Sequence, residues 1–367
     1  MNIVFDCRYT RLNRHDGISR YTRGLVTALA ELHPVTMLIS DRRQLAMLPD
    51  LPWIMGSAVT SLREPWIART VNRAHPDVVF SPMQMMGAIG RQYRLILTLH
   101  DLIYYTNRTP PREFAWPIRL GWRAYHLAFW PQRMRLDRAD AVVTGSYTAQ
   151  EEIRTHRLTR RPVTVVRSAV STPLPSVRER PDTHRLLYMG SFMPYKNVET
   201  IAAALSLLPG YRLHLLSRIS EADRRRLQAL APDGSLVFEN GVSDERYLEL
   251  LASATALVTA SKAEGFGIPV IEAMGVGTPA VISDIPVFHE VGGDAALYFE
   301  PTDPAALAEA IRSLERPGEW EAHSALGFQV AAQFTWERSA ATLLELARSL
   351  TGDPLPDPAA DATSVRR

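Results

Sequence analysis

The sequence predicts an α/β protein built from two doubly wound parallel sheets, and three observations carry that prediction. Its 367 residues exceed one ordinary hydrophobic core, so two units of about 150–200 residues follow. Short apolar runs alternate with stretches of helical periodicity in both halves, the pattern of successive βαβ units. Between Ala260 and Glu290 one such unit is complete. An apolar run ends at Thr259, a turn holds Gly265 and Gly267, a helix carries Pro269 in its first turn, and a second strand spans Pro279 to Ile282. The helix N-terminus of such a unit is a ready anion site, and two carboxylates, Glu264 and Glu272, flank it.

Composition narrows the class. Hydrophobic residues at 46% and charged residues at 22% belong to a soluble globular chain. A single cysteine, Cys7, excludes a disulfide framework and fits a reducing compartment. A strand begins at Asn2 with no apolar signal segment, and no run of about 18 uncharged apolar residues occurs, so a cytoplasmic location is expected. The net charge of +2 hides an asymmetry. Residues 1–167 carry 24 Arg, no Lys and 13 acidic residues, whereas residues 168–367 carry 17 basic and 26 acidic ones. The first half is the lobe suited to an anionic acceptor or to the inner face of a membrane. Basic modules interleaved with aromatics in the nucleic-acid-binding manner are not evident. Of the 41 basic residues only Lys196 and Lys262 are lysines. Both fall in segments assigned to the nucleotide site, where a compact ammonium acts as a point charge on phosphate.

Taken in order, Asn2 to Phe5 is the first strand, a polar arginine-rich loop runs to Asp16, and Gly17 starts a helix reaching about His33. Val35 to Ser40 is the next strand. From there to Val71, Pro49, Pro52 and Pro65 break the pattern and no element is assigned. Asp77 to Phe80 is a strand, followed by the loop Met83 to Met86, which reads as core filler or as an adaptable apolar acceptor pocket. Arg94 to Leu99 is a buried strand ending in His100-Asp101. A histidine at the carboxyl end of a parallel strand faces the crevice where α/β proteins bind ligands, and a structural histidine bonded to its own loop is the alternative. Trp116, Leu120, Leu127, Trp130 and Met134 fall at helical spacing, with Pro131 kinking or restarting the helix. Arginines are interleaved throughout. The stretch fits a core helix with a solvated arginine face, or else an interfacial face toward anionic lipid and a lipid-linked acceptor.

Ala141 to Thr144 is a strand, Ser146 caps the next helix, and Val163 to Val166 completes a first domain of residues 1–170. Residues 171–183, with Pro173, Pro175 and Pro181, form a linker. The second domain, 184–335, opens with the strand Arg185 to Met189 and a loop holding Ser191 and Lys196. Helices near 197–208, 220–230 and 244–253 alternate with strands near 213–216 and 236–239. A strand at Ala296 to Phe299, a helix from Pro304 to about Leu314 and a final helix at 336–350 follow. Residues 351–367, rich in Pro, Asp and Ala, read as a disordered tail.

The run Glu264-Gly265-Phe266-Gly267-Ile268-Pro269, with Glu272-Ala273-Met274 after it, resembles the signature of the family-4 retaining glycosyltransferases: a glutamate, seven residues, a second glutamate. The resemblance covers nearly the whole chain. It implies a GT-B architecture in which two Rossmann-like domains face a central cleft, the first binding acceptor and the second binding a nucleotide diphosphate sugar. A terminal helix crossing back to the first domain is part of that expectation. By the same resemblance Gly17 lies against the donor phosphates, Lys196 and the amides of Gly265, Phe266, Gly267 and Ile268 serve the diphosphate, Glu272 binds ribose, Glu264 binds sugar hydroxyls and His100 contacts the sugar. Asp101 is assigned to the acceptor side, and Asn240 to Asp244 to the base.

Two departures from the family pattern stand out. Ser191 occupies the place of an arginine that would share the diphosphate with Lys196, and Arg218 and Lys262 are candidates to replace it. Ser168-Ala169-Val170-Ser171 replaces the usual Asn-Gly-Val-Asp-like turn. The Glu-Gly-Phe-Gly-x-Pro version of the signature resembles mannosyltransferases that use GDP-mannose, with UDP-sugars next. A glycan, lipid-linked or small-molecule hydroxyl is the implied acceptor.

Retaining transfer in this family proceeds without an evident protein nucleophile, so the protein's work is electrostatic and positional. No Asp-x-Asp pair occurs, so the carboxylate clamp of metal-dependent GT-A enzymes is missing and no bound metal is expected. Three rivals remain. A GT-B sugar-nucleotide epimerase would release altered nucleotide sugar without an acceptor. An oxidoreductase is disfavoured because no Gly-x-Gly-x-x-Gly follows the first strand. A non-catalytic partner subunit, motivated by Ser191 and the altered turn, would bind nucleotide without hydrolysing the donor.

Overall fold

The computed structural model describes residues 1–12, 17–110, 115–170, 180–181 and 183–353. Most of the linker assigned to 171–183 and the tail beyond 353 lie outside the described residues. The first sheet contains β1 (Ile3–Asp6), β2 (Val35–Ile39), β3 (Trp53–Met55), β4 (Val78–Ser81), β5 (Arg94–Thr98), β6 (Ala141–Thr144) and β7 (Val163–Val165), all parallel, in the order β3-β2-β1-β4-β5-β6-β7. The second contains β8 (Arg185–Tyr188), β9 (Arg212–Leu215), β10 (Leu236–Phe238), β11 (Ala256–Thr259), β12 (Ala280–Ser283) and β13 (Leu297–Phe299), in the order β10-β9-β8-β11-β12-β13. Central strands such as β1, β4 and β11 are buried along their whole length. Both faces of each sheet are covered, which is why these strands read as continuous apolar runs.

Helices connect the strands. In the first half they are α1 (Gly17–Leu32), α2 (Ile67–Val71), α3 (Ile103–Thr106), α4 (Trp116–Tyr125), α5 (Trp130–Leu136) and α6 (Tyr147–Thr155). The second half adds α7 (Val198–Ala204), α8 (Glu221–Gln228), α9 (Asp244–Ala252), α10 (Ile268–Gly275), α11 (Pro286–Gly292), α12 (Pro304–Ser313), α13 (Glu319–Ala331) and α14 (Trp336–Thr351). Ser146, Ser220, Ser243, Asp303 and Thr335 each accept a backbone N–H at the start of the helix they precede, satisfying donors that the helix itself leaves unpaired. α14 packs on α1: Trp336, Leu343 and Leu344 share one core with Tyr21, Leu25 and Leu29. Gly24 makes that approach possible, since a Cβ there would stand 2.2 Å from the Trp336 ring.

Several elements differ from the sequence reading. Residues 41–71 are not patternless: a 3-10 turn at Arg42–Met47, the edge strand β3 and α2 all lie there. Three half-exposed residues are too few for β3 to show alternation. α11 and α13 had no counterpart in the sequence reading. α13 buries Ser324 and Gly327 alongside Trp320 and Ala331, and small polar residues on the inner stripe erase the apolar period. The core reading of α4 and α5 is corrected outright. Trp116 is 77% exposed, Leu127 65%, Leu120 63%, Trp130 61% and Met134 52%. The inner side of α5 is held by Gln132 and Leu136, so the apolar stripe points outward. Among the loop methionines, Met86 is core and Met85 is exposed against Arg135.

Candidate active site

The carboxyl end of β11 feeds a turn that sets the N-terminus of α10. Gly267 caps that helix with φ at +104°, a conformation other residues resist, and a Cβ there would also stand 2.9 Å from Phe288. Val270, Ile271, Ala273 and Met274 anchor α10 in the core of the second lobe. Its first amides are therefore held in place at the mouth of the crevice. Opposite lies the first residue of α1. A Cβ on Gly17 would sit 3.7 Å from Ile268 Cδ1. The first residues of α1 and α10 are thus neighbours across the cleft, and a helix N-terminus carries the positive end of a dipole.

Both glutamates already hold cations. Glu264 Oε1 accepts from Lys196 Nζ at 2.5 Å and from Ser261 Oγ at 2.7 Å, and the lysine is carried by a 3-10 turn at Pro194–Lys196. Glu272 Oε1 accepts from Arg20 Nη1 at 2.6 Å, and its Oε2 accepts from the Tyr247 hydroxyl at 2.8 Å. Arg20 also donates to Asp244 at 2.5 Å, with its guanidinium over the Tyr247 ring. Burial pushes the Glu272 carboxyl upward from its usual range, and the adjacent guanidinium opposes that shift.

His100 Nε2 donates to the Pro82 carbonyl at 2.8 Å, and the ring meets Tyr21 edge-on. Burial lowers the imidazole's pKa, more than the Pro82 bond and Asp101 raise it. The ring is then neutral at pH 7, with the lone pair on Nδ1. Asp101 accepts from the Ile103 N–H at 3.1 Å, and burial raises its carboxyl. A Cβ on Gly265 would stand 3.0 Å from Asp101 Oδ2, so the two lobes touch through this loop, and Ser146 Oγ donates to the Gly265 carbonyl at 2.9 Å. Phe266 is buried against Phe334. Farther out, Glu290 accepts from the N–H groups of Tyr147 and Thr148 at the N-terminus of α6.

His100, Asp101, Lys196, Glu264, Glu272, Gly17 and the 265–268 turn therefore line one cleft. The other assigned residues, among those described, make no hydrogen bond to either glutamate. Ser191 is exposed, its carbonyl accepting from Tyr188. Arg218 runs beside Gly241, within the 240–244 loop. Lys262 lines a cavity of about 190 Å³ with Tyr105, Phe129, Glu152, His156 and Glu264. A larger depression, about 420 Å³ around Arg91, Asp137 and Arg161, lies at the amino ends of β5, β6 and β7, the opposite end of those strands from His100. Sequence reasoning missed Arg20 and Tyr247. Arg20 carried a signal, a cation on the first turn after Gly17, whereas a buried helical tyrosine reads only as core. Among the described residues no group of three or more His, Cys, Asp or Glu is placed to hold a metal ion, and no helix is long and apolar enough to cross a membrane.

Comparison with known proteins bears on family and fold. Residues 15–173 match the family model for Glycosyltransferase Family 4, and residues 174–325 match that for Glycosyl transferases group 1. The O-antigen chain mannosyltransferase RfbU of Salmonella typhimurium is 32% identical over 317 residues, covering 82% of this chain and 87% of that protein. Anabaena HepE, solved with UDP and glucose, superposes with a TM-score of 0.71 at 18% identity, over 95% of this chain and 100% of that one. Sucrose-phosphate synthase from Thermosynechococcus elongatus gives 0.70 at 20% identity, over 96% and 100%. At those identities the two structures speak to fold alone.

Proposed function

The chain belongs to the family-4, group 1 glycosyltransferases and has their two-domain GT-B fold, and from that premise we propose that it moves mannose from GDP-mannose to a hydroxyl of a cell-envelope glycan, with retention at the anomeric carbon. One observation carries the reading: two helix N-termini meet across the cleft, and Glu264 and Glu272 flank one of them. The mannose assignment draws on the likeness to RfbU. A UDP-linked hexose is the second reading, favoured by the fold shared with UDP-bound HepE.

In this reading the diphosphate lies between Gly17 and the amides of residues 265–268, and the ribose diol takes Glu272. Lys196 leaves Glu264 for the diphosphate as the donor arrives, which frees Glu264 for sugar hydroxyls. His100 offers its unprotonated Nδ1 to the sugar. Asp101 faces the acceptor, and the base runs along 240–244 beside Arg218. The leaving diphosphate is stabilised by preorganised amides and one ammonium, and the acceptor hydroxyl attacks from the face it leaves, without a bound metal. The outward apolar stripe of α4 and α5, with Arg119 and Arg123 on α4, rests on the anionic inner face of a membrane and delivers a lipid-linked acceptor.

A thermal-shift panel of GDP, UDP, ADP and their sugars tests this. GDP and GDP-mannose should raise Tm most, since a ligand at 100 times its Kd stabilises by about 2.7 kcal/mol. No shift with any nucleotide would overturn the site, and a preference for UDP would replace the donor. Turnover retained in excess chelator supports the metal-free route; metal-rescued turnover rejects it.

A further inference from the structure

Both Glu272 oxygens already accept a hydrogen bond. Arg20 takes one and Tyr247 the other. Tyr247 and Glu272 belong to the same lobe, but Arg20 reaches in from α1 on the far side of the cleft and bridges Glu272 to Asp244. A ribose diol on this carboxylate therefore competes with the arginine for it. A displaced guanidinium has a natural destination. Arg20 is three residues past Gly17, roughly 4–5 Å along the helix axis at about 1.5 Å per residue, so its side chain roots beside the place proposed for the diphosphate. Within the second lobe, Lys196 is the cation already assigned there, and the candidates to replace the family arginine lie elsewhere. Ser191 supplies none, Arg218 lies along Gly241, and Lys262 lines the neighbouring cavity.

We propose that Arg20 is a donor-binding residue with two positions. Without nucleotide it holds the cleft shut by bridging Asp244 and Glu272. With nucleotide it cedes Glu272 to the ribose and turns to the diphosphate, supplying from the first lobe the second cation that Ser191 does not. Guanidinium is suited to both stations, because its planar fork pairs with carboxylate and phosphate alike. This inference rests on the nucleotide site proposed above.

The two positions give contributions of opposite sign. A nucleoside without phosphates must break the Arg20–Glu272 pair and gains nothing from the freed arginine; a nucleoside diphosphate recovers the interaction. Calorimetric titration of the full chain with guanosine and with GDP, and with uridine and UDP as a second pair, separates these effects. Arg20→Met keeps the stem against Tyr247 and removes the charge. Guanosine should then bind about threefold tighter, the scale of a partly exposed ion pair. GDP should bind roughly tenfold weaker or more, the scale of a lost charge-assisted bond. Affinities that fall together, or that both stay unchanged, overturn the proposal, because a merely structural Arg20 moves both ligands the same way. Wild-type protein that binds neither GDP nor UDP refutes the nucleotide site instead, a distinct failure. Should Arg20→Met fail to fold, Arg20→Lys decides. Its single ammonium cannot bridge both carboxylates as a fork does, so guanosine should tighten while GDP stays within about threefold; loss of both overturns the idea.

Discussion

The cleft wall at residues 260–290 and the outer face of α4 and α5 both carry apolar side chains at helical spacing, and they use them in opposite ways. In α10, Val270, Ile271, Ala273 and Met274 are at most 1% exposed, whereas Trp116, Leu120, Leu127 and Trp130 on the outer face all exceed 60%. Burial turns α10 into a fixed mount, so the amides at its start and the carboxylate of Glu272 keep their positions, as the proposed role beside a charged leaving group requires. The outer face mounts nothing within the chain. Its large apolar side chains stand in solvent, which is what the proposed membrane contact would use. One region positions charge, and the other offers area.

Variants that touch one region and spare the other sharpen that contrast. The largest loss is expected for Lys196→Ala, which removes the ammonium proposed for the diphosphate. Transfer of labelled sugar should fall about 10²–10³-fold, with binding to anionic vesicles unchanged. Glu272→Ala comes next. Losing one or two charge-assisted bonds at roughly 1.5–3 kcal/mol each should weaken donor binding measured by calorimetry, and an unchanged Kd would count against the ribose role. Gly24→Leu drives bulk into the Trp336 ring and should lower the stability of the α1–α14 packing by about 1–3 kcal/mol in denaturant titration. The double variant Trp116→Ser with Leu120→Ser should cut vesicle binding about tenfold, a part of what full burial of two such side chains contributes, and leave GDP affinity alone. Equal retention on vesicles would break the comparison.

The smallest effect expected is a pH slope. Burial depresses the pKa of His100, so the unfolded chain takes up a proton more readily, near pH 6.5. Stability from this group is then full above that value and is lost as pH falls below it. Relative to His100→Gln, the wild type should lose stability between pH 7 and 5; parallel profiles would show that the histidine is not held neutral.

Much of the fold was legible because parallel strands covered on both faces are written as unbroken apolar runs, as in β1, β5 and β11. The wall proposed for the donor could be named from sequence because its residues are local: Glu264, the glycine turn and Glu272 lie within nine residues of chain. What stayed hidden depends on relations that periodicity does not encode. An apolar stripe on α4 and α5 announces a face but not whether anything covers it. α13 hid because Ser324 and Gly327 occupy its inner stripe. The Arg20–Glu272 pair spans 252 positions and exists only once the lobes are set against each other. Arg218 and Lys262, the candidates to replace the arginine absent at Ser191, belong to the same lobe as Ser191, while the cation on Glu272 arrives from the other.

A crystal structure of the chain grown with GDP-mannose tests the central claim most directly. The diphosphate should lie between Gly17 and the amides of residues 265–268, about 3 Å from Lys196 Nζ, with the ribose hydroxyls on Glu272. A nucleotide bound elsewhere, or one whose ribose leaves Glu272 untouched, would contradict it.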